Sequence, residues 1–367
     1  AKLESTATGI KVTISSINAS YEGVNMGESI MGTFKQHGQS FPLTLKPGTV
    51  KRNRPQTPVG PYPYQTQEVS FSNGDAVLKG TLVLPENHTQ NTPVLLMVTG
   101  SGLQNRDEEV FEHKPFAVIA DALARQGIAT LRYDDRGFGE STGDLVNVTT
   151  EDFKNDALAG VELLRKQFKQ VGILGHSEGG TIGLMLAAEG KVDFVVSLAG
   201  GVVSFEKTLL DQNRWTLQQA GYSQDVTDRY CTALESLFDE LKAGGNPEPT
   251  SHGLPAELEQ NLQIAKAQSS TPYMRYFLGL DLTDRLGKIT CPVLALNGTK
   301  DRQVNGEENL NALQNGLAGQ KEVKAVEGLN HMFQHCNTGD PAEYKDIEET
   351  FAPEALEIIT AWLKRFK

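Results

Sequence analysis

The residues Gly175-His176-Ser177-Glu178-Gly179 follow the apolar run Val171-Gly172-Ile173-Leu174 and precede the helix-like run Gly180 to Ala188. A strand, a Gly-x-Ser-x-Gly turn and a helix make an elbow that strains the serine backbone and lifts the hydroxyl clear of the sheet. The turn is too tight for side chains beside the serine, hence the glycines. A serine hydroxyl reacts at neutral pH only with a base in reach, a group orienting that base, and donors for the oxyanion. The chemistry of such a set is acyl transfer. The pentapeptide alone is a weak signal, because a glycine-flanked serine is often a plain turn. Its weight depends on the partners.

The apolar stretch Pro292 to Leu296 runs into Asn297-Gly298-Thr299-Lys300-Asp301, placing Asp301 in the loop after a predicted strand. After the next predicted strand, Val323 to Val326, the run Gly328-Leu329-Asn330-His331 brings a histidine to the same edge. Ser177, Asp301 and His331 thus stand at the carboxyl ends of successive strands, where open α/β sheets bind ligands. Their order, serine then acid then histidine, is that of one known type of catalytic triad. Other residues compete for these roles. His335 follows the same strand but falls a turn later. Glu307 and Glu308 lie in a helix-like, solvent-facing segment, and Asp301 itself would also suit a helix cap. His176 adjoins the serine, but its side chain diverges, so it reads as a supporting residue. For the oxyanion, the N–H of Glu178 pairs with one from Thr99-Gly100-Ser101-Gly102-Leu103, directly after Val94 to Val98. The Ser101 N–H is the first choice and Gly102 the next.

The elements that must position these residues can be read from periodicity. Residues from about Gly9 to Leu45 alternate apolar and polar positions between Gly and Asn turns, as strands do. The stretch from Arg54 to Pro63 has prolines that exclude helix and central strand, and reads as a semi-rigid linker. Strands follow at Glu68 to Ser72, Val77 to Leu84 and Pro93 to Val98, then a helix at Phe116 to Gln126. A strand at Ala129 to Tyr133, a helix at Thr150 to Phe168, the elbow and a strand at Val192 to Leu198 continue the alternation. Strands apolar throughout, alternating with amphipathic helices, predict a mostly parallel sheet covered on both faces. From Gly201 to Arg285 the rhythm gives way to helical, charged segments such as Thr227 to Lys242 and Pro255 to Ala267, which suit a cap. A final helix runs from Pro353 to Phe366. The predicted organisation is a small β unit over 1–50, a Pro-rich linker over 51–65, an α/β core over 66–200 and 286–367, and a helical cap over 201–285.

A chain of 367 residues, 38% hydrophobic, is long enough for a large core. A net charge of −12 and a pI near 5.2 argue against a nucleic-acid or anionic-membrane surface. The basic run Lys51-Arg52-Asn53-Arg54 reads as solvated linker, and no run approaches the ~18 apolar residues of a membrane span. Cys231, Cys291 and Cys336 are too few for a disulfide framework and lack zinc-site spacing. In Asp134-Asp135-Arg136-Gly137-Phe138-Gly139-Glu140-Ser141 the arginine beside the carboxylates predicts a salt-bridged turn rather than a metal site, and Gly137-x-Gly139 lacks the third glycine of a dinucleotide site. No cofactor and no metal are expected.

Four segments together resemble a known family: Gly100-Ser101-Gly102-Leu103-Gln104-Asn105-Arg106-Asp107-Glu108, the Tyr133 to Ser141 segment, Gly175 to Gly179, and Leu296 to Asp301. They look like the capped bacterial α/β-hydrolases classed with serine esterases and related to the acyl-CoA thioesterase and bile-acid acyltransferase group. The likeness covers roughly residues 66 to 367, with Leu103 where relatives often carry proline. It implies the α/β-hydrolase fold and a carboxylic-ester hydrolase that cleaves small-molecule esters of short to medium acyl chains through an acyl-enzyme. Amide, peptide or thioester hydrolysis would use the same machinery, and a non-catalytic binding protein with a hydrolase shell is the alternative of another class. Residues Tyr21 to Leu45 are similar to the tail of a β-rich domain preceding such hydrolases in some exported bacterial proteins. That likeness implies a chain beginning part-way through the domain and favours an exported location over a cytoplasmic one. The same β unit could supply an interface between copies.

Overall fold

The computed structural model describes residues 2–6, 8–14, 19–36, 39–48, 52–249 and 253–367. They form two compact units, Ala1–Asn53 and Arg54–Lys367. The first is a five-stranded antiparallel meander of β1 (Lys2–Ser5), β2 (Gly9–Ile14), β3 (Ala19–Asn25), β4 (Ile30–Gln36) and β5 (Gln39–Leu45), each strand pairing with the next in the chain. Tyr21, on β3, is its most enclosed aromatic residue, and its hydroxyl donates to the Ile30 and Leu43 carbonyls.

The second unit is built on an eight-stranded sheet. In chain order its strands are β6 (Tyr64–Asn73), β7 (Ala76–Pro85), β8 (Val94–Val98), β9 (Ala129–Tyr133), β10 (Val171–His176), β11 (Val195–Leu198), β12 (Val293–Gly298) and β13 (Lys321–Val326). In space the order is β13-β12-β11-β10-β8-β9-β7-β6. The β6–β7 hairpin is antiparallel and joins β9 antiparallel, and all other pairings are parallel. The central strands β8, β10, β11 and β12 are buried at every position, because helices cover both faces and leave no side for polar alternation. One face carries α2 (Thr150–Arg165), α3 (Glu178–Ala188) and α8 (Gly306–Gly316), and the other α1 (Pro115–Arg125) and α9 (Pro353–Leu363). This is the α/β-hydrolase fold.

Between β11 and β12 the chain leaves the sheet to form α4 (Phe205–Gln219), α5 (Gln224–Lys242), α6 (Ala256–Ser269) and α7 (Pro272–Leu278). Tyr230, Leu234, Leu237, Phe238, Leu258 and Leu262 give this insertion its own core. Two of its helices, α4 and α7, were not foreseen from periodicity. Elsewhere the elements lie within a few residues of the pattern, with β6 beginning earlier, at Tyr64.

The segment after residue 53 departs from the solvated linker expected there. The Arg54 guanidinium donates to the carbonyls of Phe111, Lys345 and Ile347, and the Gln56 amide brackets Thr350 and Phe351 through three hydrogen bonds. An extended, proline-rich strand has no ladder of its own, so these side chains dock it on backbone groups that would otherwise lack partners. Lys51 of the basic run lies outside the described residues.

Candidate active site

Strand β10 ends at His176 and α3 begins at Glu178, which leaves Ser177 alone at the turn with φ 52° and ψ −121°. A residue with a Cβ rarely occupies this region unless its surroundings hold it there. The Ser177 N–H donates to the Leu198 carbonyl at 2.8 Å, and its own carbonyl accepts from the N–H groups of Gly180 and Thr181. A Cβ on Gly175 would lie 2.0 Å from the Gly179 oxygen, and one on Gly179 2.0 Å from the Val98 oxygen. The elbow therefore admits only glycine on either side of the His-Ser-Glu segment.

Asp301 follows β12, and its two oxygens have different tasks. Oδ1 accepts from the N–H groups of Gln303 and Val304, which shapes the turn, while Oδ2 faces Nδ1 of His331 at 2.8 Å and accepts from the Asn297 amide at 3.1 Å. The capping role and the orienting role thus coexist in one carboxylate. His331 sits in a loop that Asn330 and Gln334 close with one backbone bond, one amide pair and one backbone-to-amide bond. Both pair members are fully buried, and the His331 side chain is 5% exposed.

Ser177, His331 and Ser101 line one cavity of about 500 Å³. Its walls include Phe205, Leu209, Tyr273 and Phe277 from the insertion, and Met332 and Tyr344 from the far side. Among the described residues no hydrogen bond joins Ser177 to His331; such bonds often close only around substrate. The loop after β8 passes so near the serine that a Cβ on Gly100 would stand 3.2 Å from the Ser177 Cβ. The Gly100 N–H is engaged by Glu108 at 2.7 Å, whereas those of Ser101, Gly102 and Glu178 make no hydrogen bond among the described residues. Gly102 borders a small void beside Asp135 rather than the cavity itself.

The supporting groups are buried and charged. His176 turns away from Ser177: Nε2 meets the His331 carbonyl and Nδ1 meets Glu108 Oε1, each at 2.9 Å. Burial opposes its charged form, but the Glu108 carboxylate outweighs burial and raises its pKa. An acceptor on each nitrogen favours the imidazolium form of His176. Asp135 takes the Thr99 hydroxyl and the Gln104 N–H, and burial pushes it up to about 8 against those donors. Glu178 is raised by burial and opposed by hydrogen bonds from Tyr273, Thr150 and Ser101.

The turn over residues 134–141 is salt-bridged, but not within itself. Asp134 pairs with Arg106, and Arg136 reaches Asp156 on α2 through two bonds of 2.7 Å. His335 lies at the surface between Glu349 and Glu354, away from the cavity. Glu308 pairs with Lys207. Of the aromatic residues in the insertion, Tyr273 and Phe277 reach the cavity, Tyr230 and Phe238 fill the insertion core, and Trp215 borders a neighbouring cleft. Glu108, Phe111 and Tyr344 are site residues that sequence reasoning missed. Glu108 and Phe111 have positive φ in a loop with no periodic signal. Among the described residues no group of three His, Cys, Asp or Glu could hold a metal ion, and no helix is long and apolar enough to cross a membrane.

Comparison with known proteins agrees with this architecture. The chain is 28% identical over 341 residues to Esterase EstD of Thermotoga maritima, spanning 89% of this chain and 76% of that protein. Proline iminopeptidase of Mycobacterium smegmatis superposes with a TM-score of 0.51 at 17% identity, covering 82% of this chain and 98% of that one. The Pyrococcus furiosus esterase Pf2001 gives 0.50 at 16% identity, covering 87% and 99%. At these identities the structural likeness establishes the fold alone. Residues 73–337, which carry the elbow and both Asp301 and His331, match one family throughout, and the chain accordingly belongs to the X-Pro dipeptidyl-peptidase (S15 family).

Proposed function

We propose that the protein is a carboxylic-ester hydrolase working through an acyl-enzyme on Ser177. The Ser177 hydroxyl attacks the ester carbonyl while His331 takes its proton and returns it to the leaving alcohol. Asp301 holds the Nδ1–H of His331, and the N–H groups of Ser101 and Glu178, with Gly102 next, receive the oxyanion. Water then enters where the alcohol left, with His331 as base. The observation that carries this reading is the 2.8 Å contact of Asp301 with His331, on a histidine that shares its cavity with the strained serine. Substitution Ser177→Ala or His331→Ala is expected to lower kcat for p-nitrophenyl butyrate about 10⁴-fold or more with the fold intact; full activity in either variant would sink the proposal.

The family match supports a second reading, release of X-Pro dipeptides. A dipeptidyl peptidase must hold a substrate ammonium, for which a carboxylate is the natural partner. Among the described residues lining the cavity the one carboxylate is Glu108, already engaged by Gly100 and His176. The rest of the wall is largely apolar, which favours uncharged acyl groups of short to medium length, and the likeness to a protein named an esterase supports an ester over a peptide. Ala-Pro-p-nitroanilide is therefore expected to be cleaved at least about 100-fold less efficiently than the butyrate ester, a gap that one engaged charge site would produce. The likeness to the acyl-CoA thioesterase and bile-acid acyltransferase group extends the candidate substrates to thioesters. We read residues 201–285 as a cap whose helices wall the acyl pocket, and residues 1–50 as part of a β-rich domain joined through 51–65.

A further inference from the structure

Glu178 follows the nucleophile directly, yet its carboxylate is buried with no cationic side chain paired to it among the described residues. Oε1 accepts from the Thr150 hydroxyl at 2.7 Å and Oε2 from the Tyr273 hydroxyl. The Ser101 hydroxyl faces both Glu178 and Tyr273 and favours the charged form of each. A buried carboxylate is tolerated only while such donors stay in place. Here they come from three separate places: the first turn of α2, helix α7 of the insertion, and the loop that carries the first-choice oxyanion N–H.

Tyr273 faces two ways. Its ring stacks on Phe277 with centroids 5.7 Å apart, meets Phe153 edge-on at 6.2 Å, and forms part of the cavity wall. Its hydroxyl ends on the carboxylate beside Ser177. An acyl group filling the cavity must press on this ring and so on the groups that fix both oxyanion donors.

Resting on the ester-hydrolase reading above, we propose that Tyr273 is a positioning residue that couples occupancy of the acyl pocket to the geometry of the oxyanion hole. Oxyanion donors work only when aimed at the developing charge before reaction. Contact between a longer acyl chain and the Tyr273 ring seats α7, the hydroxyl fixes Glu178, and Ser101 is fixed with it. Binding energy from the remote part of the substrate then appears in kcat rather than in KM.

Tyr276 provides the control. It lies on the same helix and its hydroxyl ties the insertion to α2, through Glu151 at 3.1 Å, as that of Tyr273 ties it to the start of α3, but without touching the cavity. The experiment measures kcat and KM of the full chain for p-nitrophenyl acetate and hexanoate in wild type, Tyr273→Phe, Glu178→Gln and Tyr276→Phe. We expect Tyr273→Phe to lower kcat on the hexanoate about tenfold or more, with KM within about threefold, and to erase any kcat advantage of hexanoate over acetate. Glu178→Gln, which keeps an acceptor for Tyr273, should fall between it and wild type, and Tyr276→Phe should keep the wild-type kcat. Wild-type kcat in Tyr273→Phe overturns the coupling alone, as does an equal loss in both tyrosine variants, which would mark a mere anchor for the insertion. A wild type inert towards both esters overturns the ester reading and the coupling with it.

Discussion

Asp135 shows how strongly single residues at this site are set by their surroundings. It is 4% exposed beneath the loop after β8 and is pushed up to about 8 by burial, with the charges of Glu178 and Glu108 adding to the effect. In the unfolded chain it titrates near the usual ~3.9. Between these two values the native state holds a proton that the unfolded state has released, so stability falls as pH rises from about 4 to about 8 and levels off above. Asp135→Asn keeps an acceptor for Thr99 and Gln104 without the titration, so its thermal melts between pH 5 and 9 should fall less steeply with pH than those of wild type. A parallel pH dependence would show that Asp135 ionises normally. The residues proposed for chemistry were legible because each stands in a motif or at a strand end: Ser177 in its pentapeptide, Asp301 and His331 after apolar runs. Asp135 and Glu108 also lie in segments singled out from the sequence, but their roles were not legible there, because what distinguishes them is enclosure by Thr99, Gln104, Gly100 and His176, which become neighbours only on folding.

At the scale of elements, the loop that presents His331 is held by its own polar pair rather than by regular structure. Asn330 and Gln334 exchange hydrogen bonds in a fully buried setting, and Phe333 between them has φ 58°. Asn330→Ala leaves Gln334 without these two side-chain partners and should cost about 2–4 kcal/mol of stability, the range for two lost buried bonds and an unsatisfied amide. Chemical denaturation measures the loss, and an unchanged midpoint would mean that water replaces the amide. The strands of the core were readable from sequence because burial on both faces demands continuous apolar runs. The insertion was only partly readable. Helix α5 carries an apolar stripe and flanking charge, whereas α4 buries only Phe205, Thr208 and Leu217 and α7 is only seven residues long. Neither gives a periodic signal strong enough to stand out. The salt-bridged turn at 134–141 was likewise right in kind and wrong in partner: Arg136 pairs with α2 and not with its sequence neighbours, since adjacent side chains on an irregular turn need not face each other.

At the scale of the molecule, the two compact units divide at Asn53, and the docked segment from Arg54 onward belongs to the second. A chain starting at Arg54 keeps every residue of the candidate site and the contacts of Arg54 and Gln56. It should therefore fold and retain kcat/KM for p-nitrophenyl butyrate within about twofold, the spread expected when no contact to the reacting groups is lost; a larger loss would give the β unit a part in catalysis. The claim on which everything else rests is that the serine at the elbow is the reactive nucleophile, and a fluorophosphonate probe followed by peptide mass spectrometry tests it most directly. The account predicts a single adduct on Ser177, with ester turnover lost in proportion to labelling and no adduct in Ser177→Ala. Turnover that persists with Ser177 fully labelled, or a Ser177 that stays unlabelled while esters are cleaved, would contradict it.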